Sequence, residues 1–97
     1  MLVAVERFDL RIPGAHSLKQ KRHVVKTLTA ALRQGFPVSV AEVEYQDLWQ
    51  RAAIAVALVG AEEYHLRRVL QEVETRIDAW GEVDVIDREV YTWRPED

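Results

Sequence analysis

Ninety-seven residues with 48% hydrophobic and 30% charged side chains have the make-up of a soluble globule with one core. The absence of cysteine excludes disulfides, thiolate nucleophiles and Cys-ligated zinc, and no apolar run approaches the roughly 20 residues of a membrane span. The net charge of −3 conceals a split, because residues 7–33 carry a net +6 and residues 62–97 a net −6. Either the surface is bipolar, with a basic end suited to polyanions, or the two halves neutralise each other in the fold.

The chain opens with Met1 to Val5, too short and too soon followed by Glu6 and Arg7 for a signal segment, so a cytoplasmic protein is expected. Leu2 to Ile12 reads as a long strand. Its apolar positions change parity between Val3 and Val5 on one side and Phe8, Leu10 and Ile12 on the other. A bulge near Glu6 and Arg7 would reconcile them. Pro13-Gly14 marks a turn, and Ser17 with Gln20 has the spacing of a helix-capping box.

The first helix is expected to run to about Gln34, with Gly35 as its stop. Leu18, Val24, Val25, Leu28, Ala31 and Leu32 share one arc of it. Lys19, Arg22, Lys26 and Arg33 form a separate, exposed stripe. Cations are unfavourable at a helix start by about 0.3–1 kcal/mol each, whereas the second helix begins with Glu62 and Glu63 in the ordinary way. The stripe is therefore either a solvated face or a site for phosphates or an acidic partner. Lys21 falls inside the apolar arc and so needs a carboxylate, with Glu42 or Glu44 on a neighbouring strand as candidates.

Val38 to Val43 and Arg51 to Val59 read as further strands. Between them, Glu44 to Gln50 is longer than a tight turn, and its Tyr45 and Trp49 are either a lid on the core or a partner site. A second helix from about Glu62 to Trp80 presents Leu66, Val69, Leu70, Val73, Ile77 and Trp80 on one stripe. Gly81 ends it, Val83 to Trp93 forms the last strand, and Arg94 to Asp97 is a short tail.

This order, βαββαβ, is the split βαβ pattern of an α+β ferredoxin-like domain spanning residues 1–97. Right-handed crossovers predict a four-stranded antiparallel sheet in the order 4-1-3-2 with both helices on one face. The other face is expected to expose Arg7, Asp9 and Arg11 beside Ala53, Ala55 and Ala57, a smooth surface open to homo-oligomerisation. The third strand has no aromatic residue, which argues against base stacking there as in RNA-recognition domains.

No phosphate-binding glycine loop is present, and His16, His23 and His65 lack the spacing of metal ligands. No cofactor, metal or catalytic residue is expected. Asparagine is absent, Met occurs once and ten Arg stand against three Lys. Such depletion of heat-labile residues suggests a thermophile, although a biased codon composition gives the same excess of Arg.

Three motifs, Pro13-Gly14-Ala15-His16-Ser17-Leu18-Lys19-Gln20-Lys21-Arg22, Ser39-Val40-Ala41-Glu42-Val43 and Gln46-Asp47-Leu48-Trp49-Gln50-Arg51-Ala52, resemble the YlxP-like family of small bacterial proteins. The family is a domain of unknown function with a ferredoxin-like look, and it offers no catalytic residue to carry over. Its genes often lie near those of translation initiation and ribosome maturation factors, which implies a ribosome-associated role. The expectation is thus a non-enzymatic RNA- or ribosome-associated protein. Lys19, Arg22, Lys26 and Arg33 would contact phosphates and Ser17 would fix the helix start. The alternatives are an oligomeric small-ligand or regulatory module and a protein–protein adaptor using Tyr45 and Trp49.

Overall fold

In a computed structural model, which describes residues 1–96, the elements follow the order β1 (Leu2–Arg11), α1 (Leu18–Gly35), β2 (Ser39–Glu44), β3 (Arg51–Gly60), α2 (Glu63–Asp78) and β4 (Asp84–Trp93). Asp97, the last residue of the expected tail, lies outside it. One antiparallel sheet has the order β2-β3-β1-β4. This is the ferredoxin-like arrangement, with both helices packed on one face of the sheet.

β1 alternates without interruption along its whole length. Leu2, Ala4, Glu6, Phe8, Leu10 and Ile12 all point into the helix-covered core. Its register against β3 is unbroken from Leu2 opposite Gly60 to Arg11 opposite Arg51. The expected bulge near Glu6 and Arg7 is therefore absent. Val3 and Val5 share the open face with Arg7, and Glu6 takes a core position. The irregularities lie on the edge strands instead. Val43 in β2 and Ile86 in β4 are the extra residues at shifts in register, and both are exposed. Bulges on edges break up the flat pairing surface that would otherwise template aggregation.

The helices end differently from the glycine-stop expectation. Gly35 closes α1 without adopting positive φ, and extended Phe36 terminates the helix while its N–H bonds Leu32 O. α2 ends at Asp78, two residues short of Trp80, with Ala79 as its cap. Leu28 and Leu32 of α1 and Val73 and Ile77 of α2 are fully buried against Phe8, Ile54 and Val56 of the sheet.

On the open face the side chains fall into cross-strand rows. The first holds Trp93, Val3 and Val59, and the second Tyr91, Val5, Ala57 and Ser39. Glu89, Arg7, Ala55 and Ala41 form the third, and Asp87, Asp9, Ala53 and Glu44 the fourth. One end of this face is therefore apolar and the other charged. Arg7 reaches sideways within it, donating to Asp9 and Glu44 at 3.1 Å each.

Candidate nucleic-acid interface

Ser17 has extended backbone, and its Oγ accepts the N–H of Gln20 at 3.1 Å. The return bond of a capping box would come from the Ser17 N–H. Here Gln20 Oε1 instead accepts the N–H of His16 at 2.7 Å, one residue earlier. The helix that starts there has no acid in its first turn. Lys19, Arg22 and Lys26 are exposed on one flank and pair with no acid among the described residues. Arg33, on the same line, differs in that its guanidinium donates to Val40 O of β2 at 2.7 Å. Part of its fork is thus used to dock α1 on the edge strand. The Arg33 bond sets the end of this flank beside β2, while Lys19 at its start borders the groove toward the α2–β4 turn.

Lys21 is fully buried in the first turn, and its three ammonium protons all find acceptors. Nζ lies 2.5 Å from Glu42 Oε2, 2.9 Å from Tyr45 O and 3.2 Å from Gln46 O. Glu42, not Glu44, is the carboxylate, because Glu42 faces the helices while Glu44 lies on the open face beside Arg7. The ammonium thus fastens the β2–β3 loop to the helix start. Gln50 adds a second tie, donating to Pro13 O at 3.3 Å and Ala15 O at 3.1 Å.

Between these ties the loop adopts a tight shape in which Tyr45 has φ of 66°. Left-handed backbone is uncommon for an aromatic residue. It turns the Tyr45 and Gln46 carbonyls toward Lys21, which offsets the strain. The Tyr45 ring is half-buried under the Arg51 guanidinium, 4.7 Å from the ring centroid. Trp49 is 53% exposed and Leu48 stands out beside it. The two aromatics thus have different places, Tyr45 within the loop and Trp49 at its surface.

A groove of about 810 Å³ lies beside the helix start. Ser17, Lys19, Gln20 and His23 line it opposite Gly81 and Glu82 of the α2–β4 turn. Among the described residues, no group of three or more His, Cys, Asp or Glu is placed to hold a metal ion.

Glu6 is the residue that sequence reasoning missed. It is fully buried beneath α2, and neither carboxylate oxygen has a donor within hydrogen-bond reach. Burial first, and then the neighbouring Glu74 carboxyl, push its pKa from the ordinary 4.5 to about 8. Arg88 opposes this only partly. Its guanidinium is engaged by Asp78 at 3.0 Å and Glu74 at 3.7 Å. At neutral pH Glu6 is mostly protonated, and its proton can be shared with Glu74. The signal was the strict even parity of β1, which places position 6 among Leu2, Ala4, Phe8 and Leu10. The aromatics of β4 were missed for a related reason. Only pairing with β1 reveals that Tyr91 and Trp93 stand on the open face.

The chain matches the model of a family described as protein of unknown function, DUF503, over residues 3–90. It is 37% identical over 73 residues to the uncharacterized protein YlxP of Bacillus subtilis (strain 168), covering 75% of this chain and 79% of the relative. Solved structures of similar fold include the de novo designed protein Foldit4, with a TM-score of 0.56 at 12% identity over 97% of this chain and 98% of that one. A variant of SnoaB, a cofactor-independent oxygenase from Streptomyces nogalater, has a TM-score of 0.50 at 13% identity, covering 99% and 93% of the two chains. At such identities the likeness is one of fold alone.

Proposed function

The chain belongs to the DUF503 family, whose function is unknown, and from that premise we propose a non-enzymatic, cytoplasmic protein that binds RNA or ribosomal particles through the basic flank of α1. One observation carries the reading. Lys19, Arg22 and Lys26 stand exposed and, among the described residues, unpaired within about 10 Å of helix, in a chain whose side-chain ion pairs stay within one half, the N-terminal ammonium on Glu96 being the pair that joins the two. Arg7 binds Asp9 and Glu44, and Lys21 binds Glu42, all within the N-terminal half. Arg67 binds Glu63, and Arg88 binds Glu74 and Asp78, within the C-terminal half. Among the described residues no acid of the C-terminal half forms an ion pair with the flank, although Lys19 and Glu82 border the same groove. An exposed cation cluster beside a helix start, where positive potential is already present, attracts phosphates.

The test is binding of the full chain to ribosomal particles and rRNA fragments at low salt. Changing Lys19, Arg22 and Lys26 together to Glu is expected to abolish binding while the circular dichroism stays native. Removing about three phosphate contacts also flattens the salt dependence by roughly two units of log–log slope. Unchanged affinity in the triple variant, or no binding by the wild type, rejects the proposal.

The anchored loop supports a second reading. Trp49 and Leu48 are presented on backbone that Lys21 and Gln50 hold in place, which suits a pre-ordered protein-binding patch. Trp49→Ala would then release a protein partner while leaving RNA affinity unchanged.

A further inference from the structure

The open face of the sheet carries a feature independent of the basic flank. Its first two rows are apolar and exposed, with Val59 at 65%, Tyr91 at 50% and Trp93 at 49%. In the second and third rows the large side chains lie on the β1–β4 half and the small ones on the β2–β3 half. Val5 and Tyr91 stand beside Ala57 and Ser39 in the second row, and Arg7 beside Ala55 and Ala41 in the third. The geometry points to a second copy of this chain as the occupant, packed face to face about a two-fold axis lying in the interface along the strands.

That axis reverses strand order and keeps the rows. β4 of one copy then covers β2 of the other, and β1 covers β3. Tyr91 lies over Ser39 of the second copy, Val5 over Ala57 and Val3 over Val59. Large meets small in the second row and medium meets medium at Val3 and Val59 in the first, as close sheet packing at about 10 Å requires, with Trp93 reaching past the end of β2. An axis across the strands would instead set the apolar rows on the charged ones, and is disfavoured. The area is adequate. Three strands of ten residues and one of six, at about 4.8 Å spacing and about 3.3 Å per residue, give somewhat under roughly 600 Å² of face per copy, at the lower limit for specific interfaces.

Charge argues for a protein occupant over a nucleic acid. Besides Arg7, Arg11 and Arg51, this face bears Asp9, Glu44, Asp84, Asp87 and Glu89, so it is net negative and repels phosphates. In the dimer the fourth row places Asp87 opposite Glu44 of the other copy, at the solvent end. Salt screens that repulsion, so association holds or tightens as ionic strength rises.

Sedimentation equilibrium of the full chain over about 1 μM to 1 mM tests the inference. Wild type is expected to approach twice its 11.2 kDa mass. Val59→Asp and Tyr91→Asp alter exposed side chains, so the fold is expected to persist, as far-UV circular dichroism checks. Each is expected to weaken association at least tenfold. A wild type that stays monomeric overturns the inference, as does a dimer that survives both substitutions. Loss of RNA binding in either variant, with no change in mass, would assign this face to nucleic acid instead and overturn it too. The basic flank lies on the opposite side of the sheet, so failure of the RNA reading leaves this test unaffected.

Discussion

Two buried ionisable residues decide much of the chemistry at the scale of single side chains. Glu6 binds its proton more tightly in the folded chain, with a pKa of about 8 against 4.5 ordinarily, because burial and Glu74 both disfavour its charge. Between those values the native state holds more protons than the unfolded one. The contribution is therefore complete below about pH 4.5 and is lost as pH rises through 8, at up to about 1.4 kcal/mol per pH unit. Glu6→Gln keeps the shape and lets an amide donate to Glu74 as the protonated acid does. It is expected to remove that slope and raise the melting temperature at pH 9. A thermal-melt series from pH 5 to 9 in which both proteins fall in parallel would show that Glu6 is not the group responsible. Lys21 is the opposite case, a charge whose partners are all in place. Lys21→Met leaves Glu42 and two carbonyls without their donor, and breaking such a buried pair costs about 3 kcal/mol or more. Faster amide exchange in residues 45–50 is expected alongside, since the loop loses one of its two ties. The two residues were not equally legible. Helical angle alone put Lys21 on the core-facing arc with Glu42 as a candidate partner. Glu6 was hidden because Val3 and Val5 give the start of β1 an odd apolar parity, which a bulge reconciles with Phe8, Leu10 and Ile12 and which leaves position 6 without a core role.

The elements themselves followed from periodicity, since alternating and 3.6-residue apolar patterns are imposed by which face must be buried. Their ends were less legible, because caps depend on backbone geometry that side-chain pattern does not encode. Gly35 has the freedom to adopt positive φ and does not use it, since Phe36 ends α1 in extended form and packs against the core. The pairing partners of β4 were also beyond the pattern, and with them the placement of Tyr91 and Trp93. At the start of α1 the sequence is locally unfavourable, with Lys19 exposed and no acid in the first turn. Lys19→Glu reverses a misplaced charge at the positive end of the helix dipole. It is expected to stabilise the protein by about 0.5–1 kcal/mol, or roughly 4 °C in melting temperature. A lower melting temperature in this variant would mean that Lys19 makes a favourable contact the flank reading lacks. Together with lost RNA binding, the rise would identify a residue kept for binding at the expense of the fold.

For the whole molecule, the sheet separates two surfaces of opposite character. The flank of α1 on one side is cationic, while the open face on the other is apolar at one end and net acidic at the other. The sequence-level split in charge left open whether the halves cancel, and the side-chain ion pairs, which stay within each half while the N-terminal ammonium meets Glu96, favour a bipolar surface. The two surfaces then respond to salt with opposite sign. Phosphate binding releases counterions, so affinity for RNA falls steeply with rising salt. Self-association rests on apolar contact opposed by the facing acids Asp87 and Glu44, so it persists or strengthens under the same change. From 50 to 500 mM salt, about a threefold fall in the Debye length, RNA affinity is expected to drop by more than tenfold while the dimer fraction does not decline. The variants should separate the two surfaces as well. Glu at positions 19, 22 and 26 removes RNA binding and leaves the dimer, whereas Val59→Asp removes the dimer and leaves the contact slope for RNA per chain. If both activities fell together with salt, or one variant abolished both, a single electrostatic surface would have to serve both. The division of labour across the sheet would then be wrong.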